Sequence, residues 1–74
     1  MSYTYVATSF KNGIPLAAFH RKHELEGWCQ REINEDYPSG GWLALYRVRS
    51  YPCKVVELAS VIQDGRVELI EVVS

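Results

Sequence analysis

Asp64-Gly65 stands between two stretches in which apolar and polar residues alternate, 55–63 and 66–73. Asp and Gly both tolerate positive φ, so this pair favours a two-residue type I′ turn and a tight β-hairpin. Such a turn also sets the register. It places Ile62 opposite Val67, Ser60 opposite Leu69 and Leu58 opposite Glu71. One face of the hairpin then carries Val56, Leu58, Ile62, Val67, Leu69 and Val73, and it is read as the face that a helix covers.

The rest of the chain supplies that helix and three more strands. Residues 3–10 are rich in β-branched and aromatic side chains, which suits a strand. Lys11-Asn12-Gly13 follows as a turn, and residues 14–19 return as a second strand. Pro15 has no N–H to donate, so this strand belongs at a sheet edge or carries a bulge.

Residues 23–36 form the helix. Leu25, Trp28, Cys29 and Ile33 fall at i, i+3, i+4 and i+8, on one stripe. Glu24, Glu26, Gln30, Arg31, Asn34 and Glu35 lie on the other side. Glu24, Glu26, Glu32 and Glu35 read as a solvated face and not as a catalytic carboxylate pair. Pro38 and Ser39-Gly40-Gly41 end the helix. Residues 42–49 form a third strand, with Trp42, Ala44, Tyr46 and Val48 on one face and Leu43, Leu45, Arg47 and Arg49 on the other. Tyr51-Pro52-Cys53 connects it to the final hairpin.

The expected fold is therefore α+β, in the order β-β-α-β-β-β. Residues 1–74 form a single domain: one antiparallel sheet with a single helix packed on one face. At 74 residues, 47% hydrophobic and 23% charged, the composition is that of a folded globular chain with one core. A lone core of this size rarely supplies more than roughly 3–5 kcal/mol, so tight packing or a partner is expected to add to it. Cys29 and Cys53 are the two cysteines, and residues 1–5 have neither a basic nor an apolar leader pattern. A reducing, cytoplasmic location is the expectation. The apolar runs fall far short of the ~20 residues a membrane helix needs, so no membrane partner is expected.

Two features bear on function. One helix covers one side of a sheet, yet Ala59, Val61, Ile70 and Val72 fall on the far side of the last hairpin. Either Tyr3 and Tyr5 or Val6 and Phe10 must join them there. A sheet with one wet face normally alternates apolar-in with polar-out. The blurred alternation here fits, on the one hand, a strongly twisted sheet, a partly closed barrel or ordinary exposed aromatics. On the other hand it fits an interface, with a protein partner or as a homodimer. A strand edge is a second route to the same end.

The other feature is a helix whose charges oppose its dipole. His20-Arg21-Lys22-His23 sits at the positive end, and Glu32, Glu35 and Asp36 sit at the negative end. No Ser, Thr, Asp or Asn is available as an N-cap. Gly27 in mid-helix costs about 1 kcal/mol relative to Ala. Rule-breaking positions of this kind are places to look for function.

No catalytic or cofactor pattern accompanies these features. His20, His23, Cys29 and Cys53 give a zinc ligand count without a zinc spacing, and His23 and Cys29 fall on different helix faces. Gly40-Gly41 lacks the lysine motif and helix of a phosphate loop. The expectation is a non-enzymatic protein-binding module with no cofactor and no metal. It is of the kind a phage or mobile element directs at a host protein. It uses an apolar sheet face or edge, and Arg21, Lys22 and Trp42 are the candidate contacts. The alternative is a small nucleic-acid-binding protein that uses His20, Arg21, Lys22, Arg47 and Arg49, with Tyr51 beside the two strand arginines.

Overall fold

In the computed structural model, residues 3–34 and 43–73 are described. Their elements are β1 (Thr4–Ser9), β2 (Pro15–Phe19), α1 (Lys22–Asn34), β3 (Leu43–Arg49), β4 (Lys54–Gln63) and β5 (Arg66–Glu71). The five strands form one sheet in the order β2-β1-β3-β4-β5, and every pairing is antiparallel. Element order and architecture are those the sequence implies.

The two hairpins follow from their turns. Asp64 and Gly65 both have positive φ, 53° and 76°, as the central residues of a type I′ turn require. The register that results pairs Ile62 with Val67, Ser60 with Leu69 and Leu58 with Glu71. In the first hairpin the Gly13 N–H donates to Ser9 O at 2.8 Å, and Asn12 Oδ1 accepts from the Ile14 N–H at 3.2 Å. Pro15 lies at the outer strand, where the β1–β2 register is irregular between Ala7 and Thr8. A residue that cannot donate is tolerated at such a position.

The core lies between α1 and one sheet face. Leu25 and Cys29 from the helix meet Ala7, Leu45, Leu58 and Leu69, one residue from each of β1, β3, β4 and β5. Trp28, Tyr5, Phe19, Leu43, Val56 and Val67 pack around these six. The helix touches β5, β1 and β2. The face chosen from the hairpin is thus correct at Val56, Leu58, Val67 and Leu69. It is wrong at its ends. Ile62 is half exposed beside the turn, and Val73 lies beyond the end of β5. At the turn end α1 reaches the hairpin through the polar side chain of Gln30, which bonds to Gly65 and Val67 and puts no apolar cover over Ile62.

Candidate functional site

The far face of the sheet is the first candidate. Side chains alternate along a strand, so the residues between the core positions all point away from α1. Register joins them into cross-strand rows. Val6 pairs with Tyr46, Tyr46 pairs with Glu57, and the Val72 N–H donates to Glu57 O at 2.9 Å. Thr4, Val48 and Val55 form a second row, and Ala59 pairs with Ile70 in a third. Val55, Val61, Ile70 and Val72 remain 38–58% exposed. Nothing among the described residues covers them. The choice left open by the sequence resolves with Val6 on this face and Tyr5 on the core side.

The sheet edges are the second candidate, and they differ. β5 is overlaid by α1. Gln30 lies one helical turn after Glu26. Its side-chain oxygen accepts from the Val67 N–H at 2.9 Å, and its Nε2 donates to Gly65 O, also at 2.9 Å. Glu26 Oε2 accepts from the Leu69 N–H at 3.0 Å. These contacts take up donors on the strand's outward edge. Glu26 is therefore not part of the solvated helix face that the sequence implies, and Gln30 on the same side of the helix is engaged with β5 as well. The sequence clue is a carboxylate and an amide at i and i+4, flanking the apolar stripe. The outer edge of β2, in contrast, pairs with no strand among the described residues.

The charge cluster at the helix start is the third candidate. Arg21 is the N-cap, since its carbonyl oxygen accepts from the Glu24 N–H at 3.2 Å and the Leu25 N–H at 3.4 Å. Its side chain has no acceptor to offer the helix. His20, Arg21, Lys22 and His23 are all exposed. The opposition to the dipole is smaller than the sequence implied, because Glu24 lies in the first turn and Arg31 in the last. Glu35 and Asp36 lie outside the described residues, as does Trp42.

Lys22 and Arg47 line one cleft of about 260 Å³ together with Tyr5 and Glu71. Arg47 is tied within it. Its Nη2 donates to Glu71 Oε1, and its guanidinium lies 4.4 Å from the centre of the Tyr3 ring. Arg49 lies 5.7 Å from the same ring. The aromatic partner of the two arginines is therefore Tyr3, whereas Tyr51 is solvent-exposed beyond the strand. A larger open groove of about 950 Å³ runs between α1 and the β4–β5 turn, along Lys22, Gly27 and Arg66. Glu26 and Gln30 also line it, and both are engaged with β5.

The remaining reactive groups are apart. Cys29 is buried, and burial first, then the Glu32 and Glu26 carboxylates, pushes its thiol up to about 11. Cys53 is exposed on the connection after β3. His23 is exposed while Cys29 is buried, so these two do not converge. Among the described residues no three His, Cys, Asp or Glu side chains are placed to hold a metal, and no helix is long and apolar enough to cross a membrane. No protein-family model, curated protein or solved structure matches this chain.

Proposed function

We propose that this protein is a small non-enzymatic protein-binding module that docks through the uncovered face of its sheet. One observation carries the reading: Val55, Val61, Ile70 and Val72 stand exposed on β4, β5 and the residue after it, and half-buried Val6, Tyr46 and Val48 continue the same face across β1 and β3. Glu57 is the carboxylate set among them. Burying such a surface removes apolar area from water at roughly 25 cal/mol per Å². A contiguous apolar surface rimmed by polar groups marks an interaction site in a soluble protein. The exposed cations at the helix start steer an acidic partner towards the molecule.

The test is the pair Val61→Asp with Ile70→Asp. Both positions point away from the core, so the variant should still unfold cooperatively. Its urea midpoint should be lower, because Asp is a poor strand residue and the carboxylate introduced at position 61 faces Glu68. Wild type should gain mass with concentration, or hold a protein from extract of its native host, and do so at high salt. The variant should do neither. Equal binding by variant and wild type refutes the reading, as does a wild-type chain that stays monomeric and holds nothing the variant does not.

Nucleic-acid binding is the alternative, supported by the shared cleft of Lys22 and Arg47. It is the weaker reading because Arg47 already has Glu71 and Tyr3 as partners. It predicts retention on heparin or DNA that collapses as salt rises, weakened further by Arg47→Ala with Arg49→Ala.

A further inference from the structure

The two outer strands of the sheet are treated in opposite ways by the same helix. Edge strands offer unpaired N–H and C=O groups that another chain can pair with, and proteins blunt them by covering, by charge, by Pro or by a bulge. β2 has Pro15 and a bulge at its start, which leaves residues 17–19 as the regular open edge. On β5 the side chains of Glu26 and Gln30 occupy the outward donors of Leu69 and Val67. On β2 no hydrogen bond from α1 or from any other strand reaches the outer edge among the described residues. Phe10, Ile14 and Leu16, on β2 and the turn before it, are each more than half exposed.

Charge selects among the possible occupants of that edge. All nine Asp and Glu residues lie from Glu24 onward, while residues 1–23 carry Lys11, Arg21, Lys22 and both histidines. Lys11 stands at one end of β2, and His20, Arg21, Lys22 and His23 stand at the other. Lys11, Arg21 and Lys22 have no carboxylate partner among the described residues. A second copy does not fit, because antiparallel pairing of β2 with another β2 sets Lys11 against the other copy's helix start, cation against cation. A nucleic acid would satisfy the cations and leave the backbone edge and the apolar side chains unused.

We infer that the outer edge of β2 accepts an extended segment of a partner protein, with an apolar centre and acidic residues at both ends, as a sixth strand of the sheet. Backbone pairing gives such a complex its affinity, and the flanking charges give it direction and selectivity. The strand has five residues, so the segment it holds is short. This surface is separate from the uncovered face, and the two proposals fail independently.

A synthetic nonapeptide with alternating Val and Thr at its centre and two Glu at each end serves as the probe, with a twin carrying Lys in place of Glu. Amide NMR of the folded protein should show shifts centred on Leu16, Ala17 and Ala18 with the Glu peptide, and little response to the Lys twin. Lys11→Glu with Arg21→Glu, both at exposed positions, should weaken the Glu peptide by about tenfold and favour its twin. Ala18, paired with Val6, turns its N–H outward, so Ala18→Pro should abolish binding by removing an edge donor, and Val61→Asp with Ile70→Asp should leave it unchanged. The inference is overturned by an unshifted spectrum at millimolar peptide or by shifts centred on Val61 and Ile70. Equal binding of the twin, or tighter occupation of β2 by a DNA oligonucleotide, overturns it as well.

Discussion

The two faces of the sheet are built from the same kinds of residue and have different surroundings. Leu69 and Ile70 are neighbours in the chain, yet Leu69 is 1% exposed under α1 and Ile70 is 45% exposed on the far side. A weaker contrast holds for two other neighbouring pairs: Leu58 and Leu45 are buried, whereas Ala59 and Tyr46 are half-buried. Apart from Thr4, Glu57 and Glu68, the far-face residues named above are Ala, Val, Ile and Tyr, which a sheet that meets water does not require, since polar residues serve there as well. The difference teaches that hydrophobic patterning in this chain specifies two surfaces, and that the fold itself uses one of them.

The sharpest way to break the comparison is to truncate each neighbour. Leu69→Ala should cost roughly 2–5 kcal/mol, enough to remove most of the stability of a domain this small. Ile70→Ala should cost no more than about 1 kcal/mol, chiefly as lost strand propensity. Urea unfolding measures both. Equal losses would mean that the far face is also part of a core.

Alkaline titration sharpens the same contrast from the helix side. The folded protein holds the Cys29 proton up to about pH 11, because burial and the nearby carboxylates disfavour the thiolate. The unfolded chain releases it near the ordinary value of 9.0. The stability contributed is therefore complete below pH 9 and is lost as pH rises towards 11, by roughly 2–3 kcal/mol. The difference between wild type and Cys29→Ala across that window isolates this group from the lysines and tyrosines. A flat difference would mean that water reaches the covered face.

The two edges give the next prediction. Glu26→Ala removes the acceptor of the Leu69 N–H and should cost about 1–2 kcal/mol, with faster amide exchange at Leu69 than in wild type. Lys11→Ala, beside the open edge, should leave stability within about 0.5 kcal/mol. One effect has the opposite sign. A Cβ at Gly27 meets nothing within 4 Å, so Gly27→Ala should stabilise the chain by about 1 kcal/mol. Any partner that approaches the helix closely at Gly27 should bind that variant less well.

Local chemistry made much of this fold legible. Asp64-Gly65 determined a hairpin and its register because type I′ geometry admits few residues and fixes which strand positions face each other. Pro15 marked an outer strand because it cannot donate. The Leu25–Cys29 spacing identified the helical stripe that reaches the core. What stayed hidden depends on where α1 lies over the sheet. Periodicity says which residues share a face, but not how far a helix extends along it, so Ile62 and Val73 were placed under cover they do not have. Glu26 reads as a solvated carboxylate, and Gln30 carries no signal of its own, because their role depends on the proximity of β5. Tyr3 replaced Tyr51 as the partner of Arg47 and Arg49 for a similar reason. The β1–β3 register brings Tyr3 beside them, and no local pattern announces it.

Site-specific photo-crosslinking in the native host tests the docking claim most directly. A photoreactive residue is placed in turn at Val61, at Ile70 and, as a control, at the exposed helix residue Arg31. Covalent protein adducts from Val61 and Ile70, absent from Arg31 and resistant to high salt, are the predicted result. Adducts that arise equally from all three positions, or none from Val61 and Ile70, would contradict the account.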